Sequence, residues 1–171
     1  MRRLLTVTGP DRPGIIAAIS GVLAEGGVDI EDVSMSRLSG NFAMMLVARG
    51  GDEAALRARL EAVGRALGLL VHLAPSTEGA EEPEPNGFVF AAGPNRVGIV
   101  ARLSKTLADH GANITEMSTR LLEKTAVPVY LVRIEATIAP EAWDALARDL
   151  EAAGRDLEAE VRLEALERTD L

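Results

Sequence analysis

The 171-residue sequence predicts an α+β protein made of two tandem βαββαβ units, each an antiparallel sheet with two helices on one face. Two observations lead to this prediction. A seven-residue pattern, Gly-Pro-Asp-Arg-Pro-Gly-Ile at residues 9–15, returns as Gly-Pro-Asn-Arg-Val-Gly-Ile at residues 93–99. Apolar residues also switch between strand spacing and helix spacing in the same order in both halves of the chain.

The offset of 84 between Gly9 and Gly93 holds without a gap through the next helix and strand. The matched pairs are Ala17 and Ala101, Ser20 and Ser104, Leu23 and Leu107, Ala24 and Ala108, Gly27 and Gly111, Ile30 and Ile114, and Ser34 and Ser118. Chance would not preserve both turn residues and helical periodicity. The chain is therefore predicted to be a duplication of one fold.

The elements of the first unit follow in order. The apolar run 4–8 stops at Gly-Pro and predicts a buried strand. A helix with one apolar face comes next, and Gly27 stands where its C-cap belongs. Strands at 30–38 and 42–48 are predicted to turn through residues 39–41. The next element is a helix with an apolar stripe formed by Leu56, Leu60, Val63 and Leu67, and the last is a closing strand at 69–73.

The second unit repeats this order. Its strands are predicted at 88–92, 114–121, 129–137 and 159–165, and the last two alternate apolar with polar residues. Its first helix is predicted to end at Gly111, and Pro140 is placed at the start of its second helix. The apolar faces of these two helices are formed by Ile99, Leu103 and Leu107, and by Trp143, Leu146 and Leu150.

Between the units lies a segment with little to bury. Residues 76–87 combine prolines, glycines and like-charged glutamates, a composition typical of linkers. We predict a first domain at 1–75, a linker at 76–87 and a second domain at 88–171. The alternative is a long surface loop inside a single domain.

Composition argues against several functional classes. The chain has no cysteine, so disulfides, thiolate nucleophiles and cysteine-ligated zinc are excluded. Its formal net charge of −8 opposes direct nucleic-acid binding, which requires clustered lysine and arginine. The basic and apolar N-terminus is interrupted at residues 9–13 before a signal peptide or membrane span could form. We expect a cytoplasmic protein that binds no membrane.

The duplicated turn is the strongest candidate site. Its glycine spacing matches the start of a phosphate-binding loop, but Ile15 and Ile16 stand where that motif needs Lys and Ser or Thr. The second turn departs in the same way at Ile99 and Val100. We interpret each turn as a strand-to-helix connection whose backbone N–H groups can bind a small anion such as a carboxylate. The alternative is that the glycines serve only close packing.

Other chemistries have weaker support. The βαββαβ order is shared with the RNA-recognition motif, but aromatic residues make up only 3% of the chain and its charge has the wrong sign. The two histidines, His72 and His110, form no Ser-His-Asp pattern. Strand alternation points Glu31 and Asp32 to opposite faces, which argues against a shared metal or acid–base site. We expect no enzyme activity, no metal and no cofactor.

Residues 11–15, Asp-Arg-Pro-Gly-Ile, followed by residues 26–32, Gly-Gly-Val-Asp-Ile-Glu-Asp, resemble the ACT domain, a ferredoxin-like ligand-binding module. Residues 95–99 and 111–114 resemble it in the second unit. Two such domains in one short chain resemble the glycine cleavage system transcriptional repressor group. Similar domains precede the catalytic parts of formyltetrahydrofolate deformylases and some phosphoserine phosphatases. Because the two units account for nearly all of these 171 residues, we expect no catalytic domain here.

The resemblance implies regulation by amino acids bound near domain or subunit interfaces. In ACT sites that bind serine, one asparagine in the first turn and another opening the second strand contact the ligand. The matching residues are Asn95 and Asn113, whereas the first unit has Asp11 and Asp29. An amide both donates and accepts but an ionised carboxylate only accepts, which favours the second unit. The predicted ligand-binding residues are Asn95, Arg96, Gly98, Ile99, Asn113, Asp11, Arg12, Gly14 and Asp29.

From these points we expect a non-catalytic regulator that senses a small amino acid, glycine or serine first. It would act by contacting another regulatory protein or an enzyme, in the transcriptional regulation of amino-acid metabolism, without binding nucleic acid directly. Small βαββαβ units leave strand edges that need cover, so a homodimer is expected. The alternative is a passive oligomerisation or scaffolding module that binds no ligand.

Overall fold

A computed structural model of the chain describes residues 2–76, 84–123 and 128–166. The described residues divide into two compact units, 2–76 and 84–166. Most of the predicted linker, residues 77–83, lies outside the described residues, so the domain boundaries stay a prediction.

The first unit is a four-stranded antiparallel sheet with two helices. Its strands lie in the order β2-β3-β1-β4, so the first strand is central and the second is at an edge. The elements are β1 (Arg2–Pro10), α1 (Ile15–Glu25), β2 (Val28–Leu38), β3 (Asn41–Gly50), α2 (Glu53–Leu67) and β4 (Leu70–Pro75).

The second unit repeats the topology with strand order β6-β7-β5-β8. Its elements are β5 (Gly87–Gly93), α3 (Ile99–Asp109), β6 (Asn113–Leu122), β7 (Val129–Thr137), α4 (Trp143–Leu157) and β8 (Glu160–Ala165). The predicted α+β fold of two tandem βαββαβ units is confirmed.

Each unit has a core of its own between the sheet and the helices. In the first unit, Leu5 and Val7 of β1 are fully buried, and Leu23 of α1 is fully buried against them. In the second unit, Leu103 and Leu107 of α3 are fully buried, and Leu107 corresponds to Leu23. Because alternate strand residues and every third or fourth helix residue share a face, the apolar pattern forms one continuous core per unit.

Some predicted boundaries differ from the structure for local reasons. Gly27 and Gly111 are not the C-caps but lie one residue beyond them, with left-handed φ values of 65° and 69°. The β2–β3 turn is tighter than predicted, because Ser39 and Gly40 both adopt positive φ and Asn41 already belongs to β3.

The second helix of the second unit also begins later than predicted. Pro140 does not open α4; it opens a single 3-10 turn, Pro140–Ala142, and α4 follows at Trp143. Proline suits either first turn, since its missing N–H has no partner at a helix start.

Candidate functional site

The strand-to-helix turns of the two units have the same backbone. Gly14 and Gly98 are the N-caps of α1 and α3, with left-handed φ of 91° and 98°. Glycine suits this conformation because a side chain would be strained there. No described atom lies within 4 Å of the place where a Cβ would stand on either glycine. Each turn therefore leaves open space above the helix start.

Backbone N–H groups at both helix starts have no partner within the helix. The first intrahelical bonds run from Ala18 N to Gly14 O at 2.9 Å and from Arg102 N to Gly98 O at 2.8 Å. The three preceding amides of each helix, at residues 15–17 and 99–101, face out of the helix end.

Helix α2 shows how a helix start is closed elsewhere in the chain. Asp52 caps it by accepting a hydrogen bond from Ala55 N at 2.8 Å, and Glu53 adds a negative charge in the first turn. Among the described residues, α1 and α3 have neither a side-chain cap nor an acidic residue in the first turn. Their positive dipole ends are thus uncompensated and suited to an anion.

The turn before α3 borders a concave surface, which we call the α3 hollow. Its volume of about 430 Å³ lies in the range of small-molecule sites. Four predicted site residues lie together on its wall. The hollow is lined by Asn95, Arg96, Gly98, Ile99, Val100, Ala101 and Tyr130.

The polar groups of the α3 hollow differ in how they are engaged. The side-chain amide of Asn95 is exposed and makes no hydrogen bond to another described residue. The guanidinium of Arg96 donates to Glu158 Oε2 at 2.6 Å. Among the described residues, the hollow therefore combines the unpaired amide of Asn95, the unpaired backbone N–H groups of the helix start and the paired guanidinium of Arg96.

Sequence reasoning did not identify Tyr130. This residue is the second of β7 and lies opposite Gly93 of β5 and Leu121 of β6 in the strand register. It is the only tyrosine in the chain, and this was the one feature of the sequence that could have indicated Tyr130 as a site residue. Its place on the hollow wall depends on the register of three strands, which the apolar pattern alone does not give.

The turn before α1 carries different groups. The Asp11 carboxylate is 3.4 Å from Arg37 Nη1, and its backbone N–H donates to Gly40 O at 2.9 Å. Arg12 is exposed and has no ion pair within the described ranges. Among the described residues, Asp11 is thus paired and Arg12 is not, whereas in the second unit Asn95 has no side-chain partner and Arg96 is paired.

Asp29 and Asn113, at the beginning of the second strand of each unit, do not line a hollow together with the turn residues. Asp29 borders a separate hollow of about 520 Å³ between α1 and β2, and Asp11 is not among its lining residues. Asn113, at the start of β6, is exposed and is not among the residues that line the α3 hollow. A shared ligand contact by Asn95 and Asn113 stays a prediction. The lining of the Asp29 hollow is Ala17, Ser20, Gly21, Leu23, Ala24, Val28, Asp29 and Ile30.

Three of the remaining ionisable candidates have structural partners. His110 Nε2 is 2.8 Å from Asp149 Oδ2, at the C-terminal end of α3. Glu31 lies at a β-bulge and pairs with Arg2 and Arg49, whereas Asp32 accepts from the backbone N–H of Val33. Within residues 2–76, 84–123 and 128–166, no group of three or more His, Asp or Glu is placed to hold a metal ion.

No helix within the described ranges is both long and apolar enough to span a membrane.

Residues 2–74 and 88–164 each match the family model of the ACT domain. The chain belongs to the ACT domain family and carries two copies of the domain. ACT domains are regulatory ligand-binding modules that bind small amino acids and commonly oligomerise.

Relatives and solved structures agree with this assignment. A UPF0237 protein of Lactococcus lactis subsp. lactis is 39% identical over 75 residues, covering 43% of this chain and 86% of the relative. A protein of unknown function from Galdieria sulphuraria has the same fold, with a TM-score of 0.83 at 22% identity over 97% of this chain and 98% of its own. A candidate glycine cleavage system transcriptional repressor matches at a TM-score of 0.71 and 15% identity, over 98% of both chains. These two structures show the tandem fold alone.

Proposed function

We propose that this chain is a non-catalytic regulatory protein whose second unit binds a small amino acid, glycine or serine first, at the α3 hollow. The observation that carries the proposal is the uncapped start of α3 beside the unpartnered amide of Asn95. An ACT domain is a ligand-binding module, so an open hollow with polar groups at the duplicated turn of its fold is a suitable ligand site.

The groups around the hollow match the two ends of an amino acid. The ligand carboxylate would accept hydrogen bonds from the backbone N–H groups of residues 99–101, where the helix dipole favours negative charge. The Asn95 side-chain oxygen would accept from the ammonium group. Tyr130 and Ile99 form the apolar wall and would limit the ligand side chain to a small one.

The glycines of the turns help to separate ligand binding from packing alone. A Cβ on Gly9 would lie 2.9 Å from Gly68 O, and a Cβ on Gly93 would lie 2.6 Å from Ala159 Cβ, so these two glycines permit close packing. Gly14 and Gly98 have no described neighbour within 4 Å of such an atom. Packing therefore explains the first glycine of each turn but not the open space above the second.

Calorimetry of the full chain against the twenty amino acids tests this proposal. We expect glycine or serine to bind, and Asn95→Ala to weaken that binding about tenfold, the effect of losing one hydrogen bond to a charged group. Asp11→Ala changes the corresponding position of the first unit and is the matched control, expected to leave the affinity unchanged. Asn113→Ala tests separately whether the start of β6 contributes. If no amino acid binds, or if Asn95→Ala has no effect, the site is wrong.

The biological role that we propose is regulation through protein contacts in the cytoplasm. The ACT family and the tandem fold shared with a candidate transcriptional repressor support a regulatory role in amino-acid metabolism. The net charge of −8 supports action through a partner protein rather than through DNA. Capture of partners with and without the bound amino acid tests the role: ligand-dependent capture is expected, and tight, salt-sensitive binding to a promoter fragment would contradict it.

A homodimer is part of the same proposal. β2 and β6 are long edge strands of their sheets, and Val33 and Met35 of β2 are about half exposed. Such edges favour pairing with another chain. Analytical ultracentrifugation at tens of micromolar should show a dimer, and a strict monomer would refute this part.

A further inference from the structure

The residue that ends α4 adopts a backbone conformation that its type disfavours. Glu158, the C-cap of α4, has φ 53° and ψ 33°, in the left-handed region. The corresponding C-cap of α2 is Gly68, with φ 69° and ψ 33°. A side chain is strained in this region and glycine is not. The glutamate therefore needs a compensating role that the glycine of the first unit does not have.

The contact that Glu158 makes is with the proposed site. Its Oε2 accepts from Arg96 Nη2 at 2.6 Å, and Arg96 lines the α3 hollow. The helix end lies against the turn in both units: a Cβ on Gly9 would be 2.9 Å from Gly68 O, and one on Gly93 would be 3.2 Å from Glu158 O. The backbones correspond, and the side chain at the C-cap is what differs.

The neighbouring pair follows the same pattern. Asp156 lies 3.4 Å from Arg102, which is in the first turns of α3. The corresponding residues of the first unit are Ala66 and Ala18, which carry no charge. Both cations near the start of α3 are thus paired with acids from the end of α4, whereas Arg12 of the first unit has no ion pair among the described residues.

We infer that Glu158 is a specificity-determining residue of the α3 hollow: by pairing with Arg96 it selects an amino acid over a simple carboxylate. The inference rests on the proposed function of this hollow. An unpaired guanidinium attracts a carboxylate and repels an ammonium group, and pairing with a carboxylate weakens both effects. Glu158 is not itself among the residues that line the hollow, so it acts on the ligand through the charge of Arg96.

Glycine and acetate are matched probes for this inference, since both carry a carboxylate but only glycine carries an ammonium group. Each is titrated into the full chain at constant ionic strength, and the backbone amide signals of Gly98 and Ile99 report binding. The variants are Glu158→Gln, which removes the charge and keeps the size, and Glu158→Gly, which reproduces the first unit. Glycine is the preferred C-cap here, so this second variant is expected to fold.

We expect wild type to bind glycine more tightly than acetate. In both variants the ratio of the acetate Kd to the glycine Kd should fall at least about threefold, the effect of one exposed ion pair. Glu160→Gln is the charge-matched control, because Glu160 is an exposed acid only two residues away that pairs with Arg162 instead. It should leave the ratio unchanged.

An unchanged ratio in both Glu158 variants would overturn the inference while leaving glycine binding intact. A change in Glu158→Gly without one in Glu158→Gln would assign the effect to the backbone and overturn it too, as would an equal change in Glu160→Gln. If wild type binds neither probe but Glu158→Gly binds acetate at Gly98, the effect of the Glu158 charge on carboxylate binding is confirmed and the proposed amino-acid site is wrong. If neither wild type nor any variant binds either probe, both the inference on Glu158 and the proposed amino-acid site are wrong.

Discussion

The turn before α1 and the turn before α3 share a backbone but present opposite chemistry. The N-cap glycines differ by only 7° in φ, from 91° to 98°, and both helix starts are uncapped within the described residues. Within the part of the chain that the structure describes, Asp11 of the first unit is paired and Arg12 is not, whereas Arg96 of the second unit is paired and the Asn95 side chain is not. The glycines and the buried apolar residues maintain the fold, so exposed positions could diverge after duplication with little effect on stability.

The largest effect that we expect from this comparison concerns the glycines that pack each turn. Gly93→Ala would place a Cβ 2.6 Å from Ala159 Cβ, and Gly9→Ala would place one 2.9 Å from Gly68 O. Each should lower the free energy of unfolding by about 1–3 kcal/mol, because the backbone must move to relieve the overlap. Urea denaturation measures the change.

Gly21→Ala is the control for the glycine substitutions. Gly21 lies inside α1, and no described atom is within 4 Å of its Cβ position. This change should raise the free energy of unfolding by about 0.5–1 kcal/mol, the helix preference of alanine over glycine. If Gly93→Ala is as well tolerated as Gly21→Ala, the packing of the turn against the end of α4 is wrong.

A smaller expected difference between the two units concerns how their stability depends on pH in the acid range. The hydrogen bond from Arg57, at 3.1 Å, lowers the pKa of Glu53 below its usual value of 4.5. Desolvation opposes this effect, and the charges of Arg57 and, more weakly, Arg3 add to it. The corresponding first residue of α4 is Trp143, which does not titrate. Because the folded pKa is lowered, the stabilisation by Glu53 is present above about pH 4.5 and is lost as the pH falls through the folded value.

Unfolding of wild type and of Glu53→Gln, measured at about pH 6 and about pH 3, tests this difference. The advantage of wild type should be larger at the higher pH. A difference that stays constant, or that grows in acid, would contradict the assigned ion pair between Glu53 and Arg57.

The order of elements could be read from the sequence because the repeat preserves both the turn glycines and the apolar spacing. The ion pair between Arg96 and Glu158 could not, since it joins residues 62 positions apart. The offset between the units is 84 at Gly14 and Gly98 but 90 at Gly68 and Glu158, so the match of these last two depends on the strand register. Tyr130 and the separation of Asn113 from the α3 hollow depend on register in the same way.

The central claim is that the turn before α3, and not the turn before α1, binds the amino acid. Titrating the full chain with serine while following the backbone amide signals of residues 14–17 and 98–101 tests it in one sample. We predict saturable shifts at 98–101 and none at 14–17 over the same range. Shifts at neither turn, at the first turn alone, or with equal affinity at both would contradict the claim.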